Sequence, residues 1–364
     1  MAAPPSPARV TRAVNKTTPP PAQATSAQAG PGDDARADAS PGADSAAEPA
    51  EPAEPAERAG LVDRPVTERE LTRALQLRRD YLALTKPRIV VMVLVTAAVA
   101  AVAAAGRELT GLVLLYTLLG TGLVGASAGV MNQIWERRID RNMRRTRNRP
   151  LPAGRVTTAA AGLYCAILGI AGTWLLAATV GVVPALFGVA TWLTYVVIYT
   201  PMKTRTSWNT TVGAVSGALP MMIGYTAAGG SAAALEGWLL VAVLVAWQYP
   251  HFMAIAWMYR REYGEAGFMM TPVVEPSGRS AAAQSVVGAV ALVGVLLALV
   301  ASLSSGATAL VLAALMLAVS YGLVRDACRF ARQRTDAAAR RMMRASLIQL
   351  PLAMVVLVLA ALMG

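Results

Sequence analysis

The sequence predicts an all-α, polytopic membrane protein, and three observations carry that reading. Hydrophobic residues make up 55% of the 364-residue chain, and the mean hydropathy is +0.48. Only 15% of residues are charged, against about 25% in an average soluble domain, so there is too little polar surface to coat a soluble globule. The apolar residues gather in nine runs, each close to the roughly 20 residues that a helix needs to cross a hydrocarbon core. The basic residues sit in short clusters between those runs, a pattern of membrane orientation rather than of a nucleic-acid face.

In chain order, residues 1–57 come first. They hold 11 of the 22 prolines and eight of the 21 acids, with no large aliphatic cluster. Such a segment cannot bury enough apolar surface to offset its ordering entropy, so it is expected to be a disordered, solvated tail. It lacks the uninterrupted apolar stretch of a secretory signal. Residues 58–88 form a basic, weakly amphipathic lead-in. Residues 89–364 then carry the apolar runs, at 89–105, 111–131, 158–180, 182–199, 209–228, 235–257, 283–303, 307–324 and 345–363. Of the 33 Lys and Arg residues, 32 fall in the tail, the lead-in and the alternate loops 132–157, 200–208, 259–282 and 325–344. Arg107 alone falls in the other set. The positive-inside rule therefore places the N-terminus in the cytoplasm, and nine spans place Gly364 on the far side.

Composition also excludes. Two cysteines, Cys165 and Cys328, cannot build a disulfide framework or a cysteine metal cage, and the lone His251 rules out histidine clusters. No phosphate-binding GxxxxGK[ST] loop and no CxxCH haem attachment site occur.

Acids are scarce beyond residue 81, where only nine occur, and five of them lie in the loops 132–157 and 259–282. The first cluster reads Asn132-Gln-Ile-Trp-Glu136-Arg-Arg-Ile-Asp140. Asn132, Glu136 and Asp140 are spaced i, i+4, i+8, so on a helix they form one stripe that drifts by about 40° per step. Three oxygen-bearing side chains on a stripe suit a hard cation such as Mg²⁺, which keeps several waters and shares its sites with phosphate oxygens. Arg144, Arg145, Arg147 and Arg149 follow directly, and guanidinium groups are natural partners of a diphosphate. Spacing alone leaves a second reading open, in which the acids merely pair with arginines in a positive-inside loop.

The second cluster runs from Trp247-Gln-Tyr-Pro250-His251-Phe252 to Arg260-Arg261-Glu262-Tyr263. His251 and Glu262 are 11 residues apart, which on one continuous helix puts them on a shared face. An ionisable group inside a membrane helix is expensive and usually marks a substrate path; a histidine satisfied by a carbonyl beside a proline kink is the plainer reading. Lys203 lies in an otherwise ordinary basic turn. Gly213, Gly217 and Pro220 fall on nearby faces of the fifth run, where close helix packing is sufficient explanation.

These stretches resemble the UbiA superfamily of intramembrane prenyltransferases over some 280 residues from about Leu84. The resemblance rests on Thr85-Lys86-Pro87-Arg88, on Asn132, Glu136 and Asp140, and on the run Met143-Arg-Arg145-Thr146-xx-Arg149-Pro150-Leu151-Pro152-Ala153-Gly154-Arg155. It also rests on Tyr199-Thr-Pro201, on Asn209, Gly213, Gly217 and Pro220, and on Trp247-Gln-x-Pro250-His251-Phe252 through Trp257, Tyr259 and Arg260. The Arg-Pro-Leu-Pro-Ala-Gly run and the Trp-Gln-x-Pro-His-Phe segment resemble the branch that acts on haem.

The resemblance implies nine helices around a central cavity in a bacterial plasma membrane. It implies transfer of a farnesyl group from farnesyl diphosphate to a vinyl group of protohaem IX, with addition of water, giving haem O and diphosphate. Mg²⁺ is the implied cofactor, held by Asn132, Glu136, Asp140 and Glu262. Arg145, Arg149 and Lys203 are the implied diphosphate ligands, and His251 orients the haem as an axial ligand or through a propionate. A downstream haem A synthase is a candidate partner; nucleic acid is not. The branch usually carries Arg-x-Asp-Tyr where this chain has Arg260-Arg261-Glu262-Tyr263, so direct and water-bridged metal contacts by Glu262 are both open. The alternatives are a related enzyme acting on an aromatic quinone precursor or a chlorophyll-type acceptor, and a polyanion transporter. The near absence of polar residues in the outer loops argues against the transporter.

Overall fold

A computed structural model describes residues 67–363. The expected tail, 1–57, and the start of the lead-in lie outside the described residues. Among those described there are helices and turns and no strand.

α1 (Glu68–Leu84) begins at a capping box. The Thr67 hydroxyl accepts from Glu70 N–H while the Glu70 carboxylate accepts from Thr67 N–H, which satisfies two backbone donors that a helix start leaves unpaired. α2 (Pro87–Ala105) starts on a proline, whose fixed φ suits the first helical position. Lys86, just before it, holds φ at 52°, an uncommon left-handed conformation for a residue with a side chain. α3 (Gly111–Asp140) is 30 residues long and capped by Thr110. It therefore carries the predicted Asn132–Glu136–Asp140 stripe on one continuous helix. α4 (Thr158–Thr179), capped by Thr157, packs along α3.

α5 (Val182–Leu193) passes through a π-helical stretch, Thr194–Tyr199, into the short α6 (Thr200–Met202). The fifth apolar run forms α7 (Asn209–Ala218) and α8 (Pro220–Ala227), because Pro220 has no N–H to continue the helical ladder. α9 (Leu235–Met258) is the most buried of the long helices. The helix breaks at Tyr259 (φ −105°, ψ 16°), and α10 (Arg260–Glu265) follows. His251 and Glu262 therefore lie on separate helices, not on the one continuous helix that their 11-residue spacing assumes. α11 (Thr271–Val274), α12 (Arg279–Leu303), α13 (Gly306–Gln333) and α14 (Asp336–Met363) complete the chain. Among the described residues, eight helices are long and apolar enough to cross a membrane; α7 and α8, taken singly, are too short.

The core runs along α9, α12, α13 and α14, through residues such as Leu240, Met253, Leu292, Leu296, Phe330 and Leu357. α14 also packs on α2, so the two ends of the helical array meet. Outward-facing positions are apolar too: Ile170 is 71% and Leu310 74% exposed, which a helix tolerates when lipid rather than water surrounds it. Helices also approach closely. A Cβ on Gly224 of α8 would collide with the Ala97 carbonyl oxygen of α2, so only glycine permits that contact.

The basic segments converge on one end. Arg155 binds Asp80 at 3.0 Å, Arg145 reaches Tyr263, the Met269 N–H donates to the Lys203 carbonyl, and Arg260 binds Asp336 at 2.8 Å. These contacts join the lead-in and the loops 132–157, 200–208, 259–282 and 325–344. At the opposite end, Arg107 donates to the Leu362 carbonyl.

Candidate active site

The last two turns of α3 project Asn132, Glu136 and Asp140 into the basic end, all three buried. Asn132 is held from three sides. Its Oδ1 accepts from the Lys86 ammonium, and its Nδ2 donates to Glu136 Oε1 at 3.1 Å and to Thr200 Oγ1 at 3.0 Å. Glu136 Oε1 also accepts from Lys203 Nζ at 2.6 Å, a pair whose side chains are only 9% and 12% exposed. The Lys203 ammonium lies 4.5 Å from the centroid of the Tyr199 ring, a cation–π contact. Burial works against the Lys203 charge, but Glu136 beside it raises the ammonium well above the ordinary lysine range. One turn on, Asp140 Oδ2 accepts from Arg149 at 2.8 Å, while the Asp140 carbonyl accepts from the Thr146 hydroxyl.

Local folding explains the convergence. The loop after α3 turns back tightly, with Met143 packed against Tyr263 and Phe268, which brings the arginines over the helix end. Arg145 donates to the Tyr263 hydroxyl at 2.8 Å and lies about 5 Å from the ring centroids of Tyr259 and Tyr263. α10 is thereby drawn to the same place, and Glu262 rides on it, half-buried and without a side-chain hydrogen bond among the described residues.

No three Asp, Glu, His or Cys side chains among the described residues form a metal cage. The donor set nevertheless suits a hard cation carried in with its substrate. Glu136 and Asp140 each engage one oxygen with a cationic side chain, and no protein donor reaches Glu136 Oε2 or Asp140 Oδ1 among the described residues. Two carboxylate oxygens plus water and phosphate oxygens is a common Mg²⁺ environment.

A family model described as the UbiA prenyltransferase family matches residues 93–348. The chain belongs to this family. A protoheme IX farnesyltransferase of Rhodopirellula baltica is 52% identical over 282 residues, covering 76% of this chain and 98% of that one. Its counterpart from Solibacter usitatus is 41% identical, covering 75% and 96%. The helical arrangement is shared with solved UbiA-type structures. Digeranylgeranylglyceryl phosphate synthase has a TM-score of 0.66 at 16% identity, covering 79% of this chain and 99% of that one. A UbiA homologue from Archaeoglobus fulgidus, bound to GPP and Mg²⁺, has 0.56 at 16%, covering 76% and 99%.

Within this UbiA frame, the structure brings together Asn132, Glu136 and Lys203, and places Asp140 with Arg149 one turn further. Arg145 contacts Tyr259 and Tyr263, which flank the segment of α10 that carries Glu262. His251 stands apart: its ring stacks on Trp247 with centroids 4.6 Å apart, and its Nδ1 lies 2.9 Å from Ser346 Oγ. Lys86, Thr200 and Tyr263 join the site without having been singled out by spacing. Lys86 and Asn132 are 46 residues apart, and no periodicity relates them; the signal for Lys86 was its place in the Thr85-Lys86-Pro87-Arg88 stretch that carries part of the resemblance.

Proposed function

We infer that this chain transfers a farnesyl group from farnesyl diphosphate to a vinyl group of protohaem IX, with addition of water, giving haem O and diphosphate. The observation that carries this is the 52% identity to a protoheme IX farnesyltransferase over nearly the whole of that relative, on a chain whose buried acids and arginines meet at one end of a membrane bundle.

Glu136 and Asp140 would hold Mg²⁺, with Glu262 joining directly or through water; Asn132, also expected as a ligand, has its Oδ1 on the Lys86 ammonium. When bound, the ion supplies charge neutralisation to the diphosphate. Asn132, fixed by Lys86 and Thr200, orients the Glu136 carboxylate. Arg145, Arg149 and Lys203 present cations to the departing diphosphate, and such stabilisation grows as the C–O bond breaks. The bond's electron pair leaves with diphosphate, and the vinyl π electrons close on C1 of the farnesyl group. Water adds to the resulting cation and loses a proton to solvent. The apolar helices exclude water from the farnesyl cation until the new C–C bond exists. No strong general base is needed, consistent with a chain that has one histidine.

The convergence of the basic loops supports a plasma-membrane orientation with the N-terminal side, the acids and the 325–344 loop in the cytoplasm. In this reading α7 and α8 together make a ninth pass. Asn209 at the start of α7 donates to the Met269 carbonyl at the basic end, and α9 returns to that end.

Mass spectrometry of haems from cells expressing the chain tests the activity. Haem O must accumulate with the chain and not without it; unchanged protohaem IX alone refutes the reading.

A further inference from the structure

His251, Trp247 and Ser346 form a cluster that, among the described residues, shares no hydrogen bond with Asn132, Glu136, Asp140, Lys203 or the arginines. Ser346, on α14, is fully buried. Its hydroxyl oxygen lies 2.7 Å from the Met343 carbonyl oxygen and 2.9 Å from His251 Nδ1. A hydroxyl has one proton, and a carbonyl can only accept. With that proton on the Met343 side, the contact to His251 requires Nδ1 to carry the proton and Ser346 Oγ to accept it. Nε2 is then the unprotonated nitrogen, and no protein group bonds it among the described residues. The ring is also held in place. Trp247 Nε1 donates to the Ser346 carbonyl at 2.9 Å, and its indole lies within 18° of parallel to the imidazole. One serine thus fixes two neighbouring side chains of α9.

We propose that Ser346 is a positioning residue that locks His251 as the Nδ1–H tautomer and aims the free Nε2 lone pair at the iron of the tetrapyrrole acceptor. A neutral imidazole in this tautomer cannot donate from Nε2 to a propionate, so of the two roles open to His251 the geometry selects axial ligation. A ligating histidine normally fixes its tautomer in this way, by donating its other N–H to a nearby oxygen. The ligation half rests on protohaem being the acceptor; the tautomer half does not.

His251 is the only histidine in the chain, so ¹⁵N-histidine labelling of the full-length protein in nanodiscs reads this one ring by NMR. Without haem, the expected spectrum shows a protonated Nδ1 and an unprotonated Nε2, with Ser346→Thr preserving it and Ser346→Ala moving the population toward Nε2–H. A wild-type spectrum dominated by Nε2–H overturns the proposal. Added ferric protohaem should give a histidine-ligated absorption and EPR signature that His251→Ala abolishes. Ser346→Ala should weaken haem binding about 5-fold, the equivalent of one hydrogen bond of about 1 kcal/mol, and leave binding of a farnesyl diphosphate analogue unchanged. Unaltered haem spectra in folded His251→Ala, or unaltered affinity in Ser346→Ala, overturn the proposal while haem O formation by wild type keeps the activity standing. Loss of haem O formation in wild type would instead refute the activity.

Discussion

The Glu136–Lys203 pair allows a prediction that separates folding from catalysis. Both side chains are almost fully buried, and Nζ approaches Oε1 to 2.6 Å. Glu136→Gln keeps the shape and an acceptor for Asn132 but leaves the Lys203 ammonium buried without its carboxylate. Lys203→Met leaves the carboxylate with Asn132 beside it. Breaking a buried pair from one side costs about 3–5 kcal/mol, whereas removing both charges is often close to neutral. The double variant should therefore be more stable than the sum of the singles by several kcal/mol, above the roughly 0.5–3 kcal/mol usual for residues in contact. Thermal unfolding of the purified proteins in detergent, followed by intrinsic fluorescence, measures this. Turnover should behave differently. All three variants lose charge at the diphosphate and should make haem O on the order of 10²-fold more slowly or worse, with no recovery in the double. Additive stabilities within about 0.5 kcal/mol would show that the pair is not formed. Near wild-type haem O production by Glu136→Gln would remove Glu136 from the reaction.

Further outcomes follow from other contacts. Asp140→Asn should leave Arg149 without its carboxylate and cost on the order of 10²-fold in turnover with membrane insertion unchanged; an active, well-inserted variant would exclude Asp140 as a ligand. Gly224→Ala should sharply lower stability, because the new methyl meets the Ala97 carbonyl oxygen, part of a backbone that cannot step aside; an unchanged melting temperature would contradict the α2–α8 contact. Asp80 is held below the usual carboxylate range by the Arg155 guanidinium, so its contribution is complete above about pH 4 and is lost as pH falls through its lowered native value. Protection from hydrogen exchange in the last turns of α1, taken relative to the intrinsic rate at each pH, should fall only on that acid side, and Asp80→Asn should flatten that dependence. A reporter fused after Gly364 should be active only outside the cell, and one within 325–344 only in the cytoplasm.

Composition and charge order already determined a great deal. Bilayer thickness and the absence of water in its core leave an apolar run of about 20 residues one main option, a helix, so fold class and most helix positions were legible. The 32 basic residues on alternate segments fixed which loops share an end, and contacts such as Arg155–Asp80 and Arg260–Asp336 show them meeting there. The Asn132–Glu136–Asp140 stripe was legible because helical spacing is a local property of one uninterrupted segment. Spacing took His251 and Glu262 to lie on one helix; the break at Tyr259 is a backbone event that a residue count does not register. It also said nothing of Lys86 reaching Asn132, Lys203 reaching Glu136, Arg145 reaching Tyr263, or Ser346 reaching His251, pairs 46 to 118 residues apart. Such partners are chosen by how helices pack, and packing is settled by close approaches like that of Gly224 to Ala97. The sequence supplied the charges and the spans; only the tertiary structure decided which charge answers which.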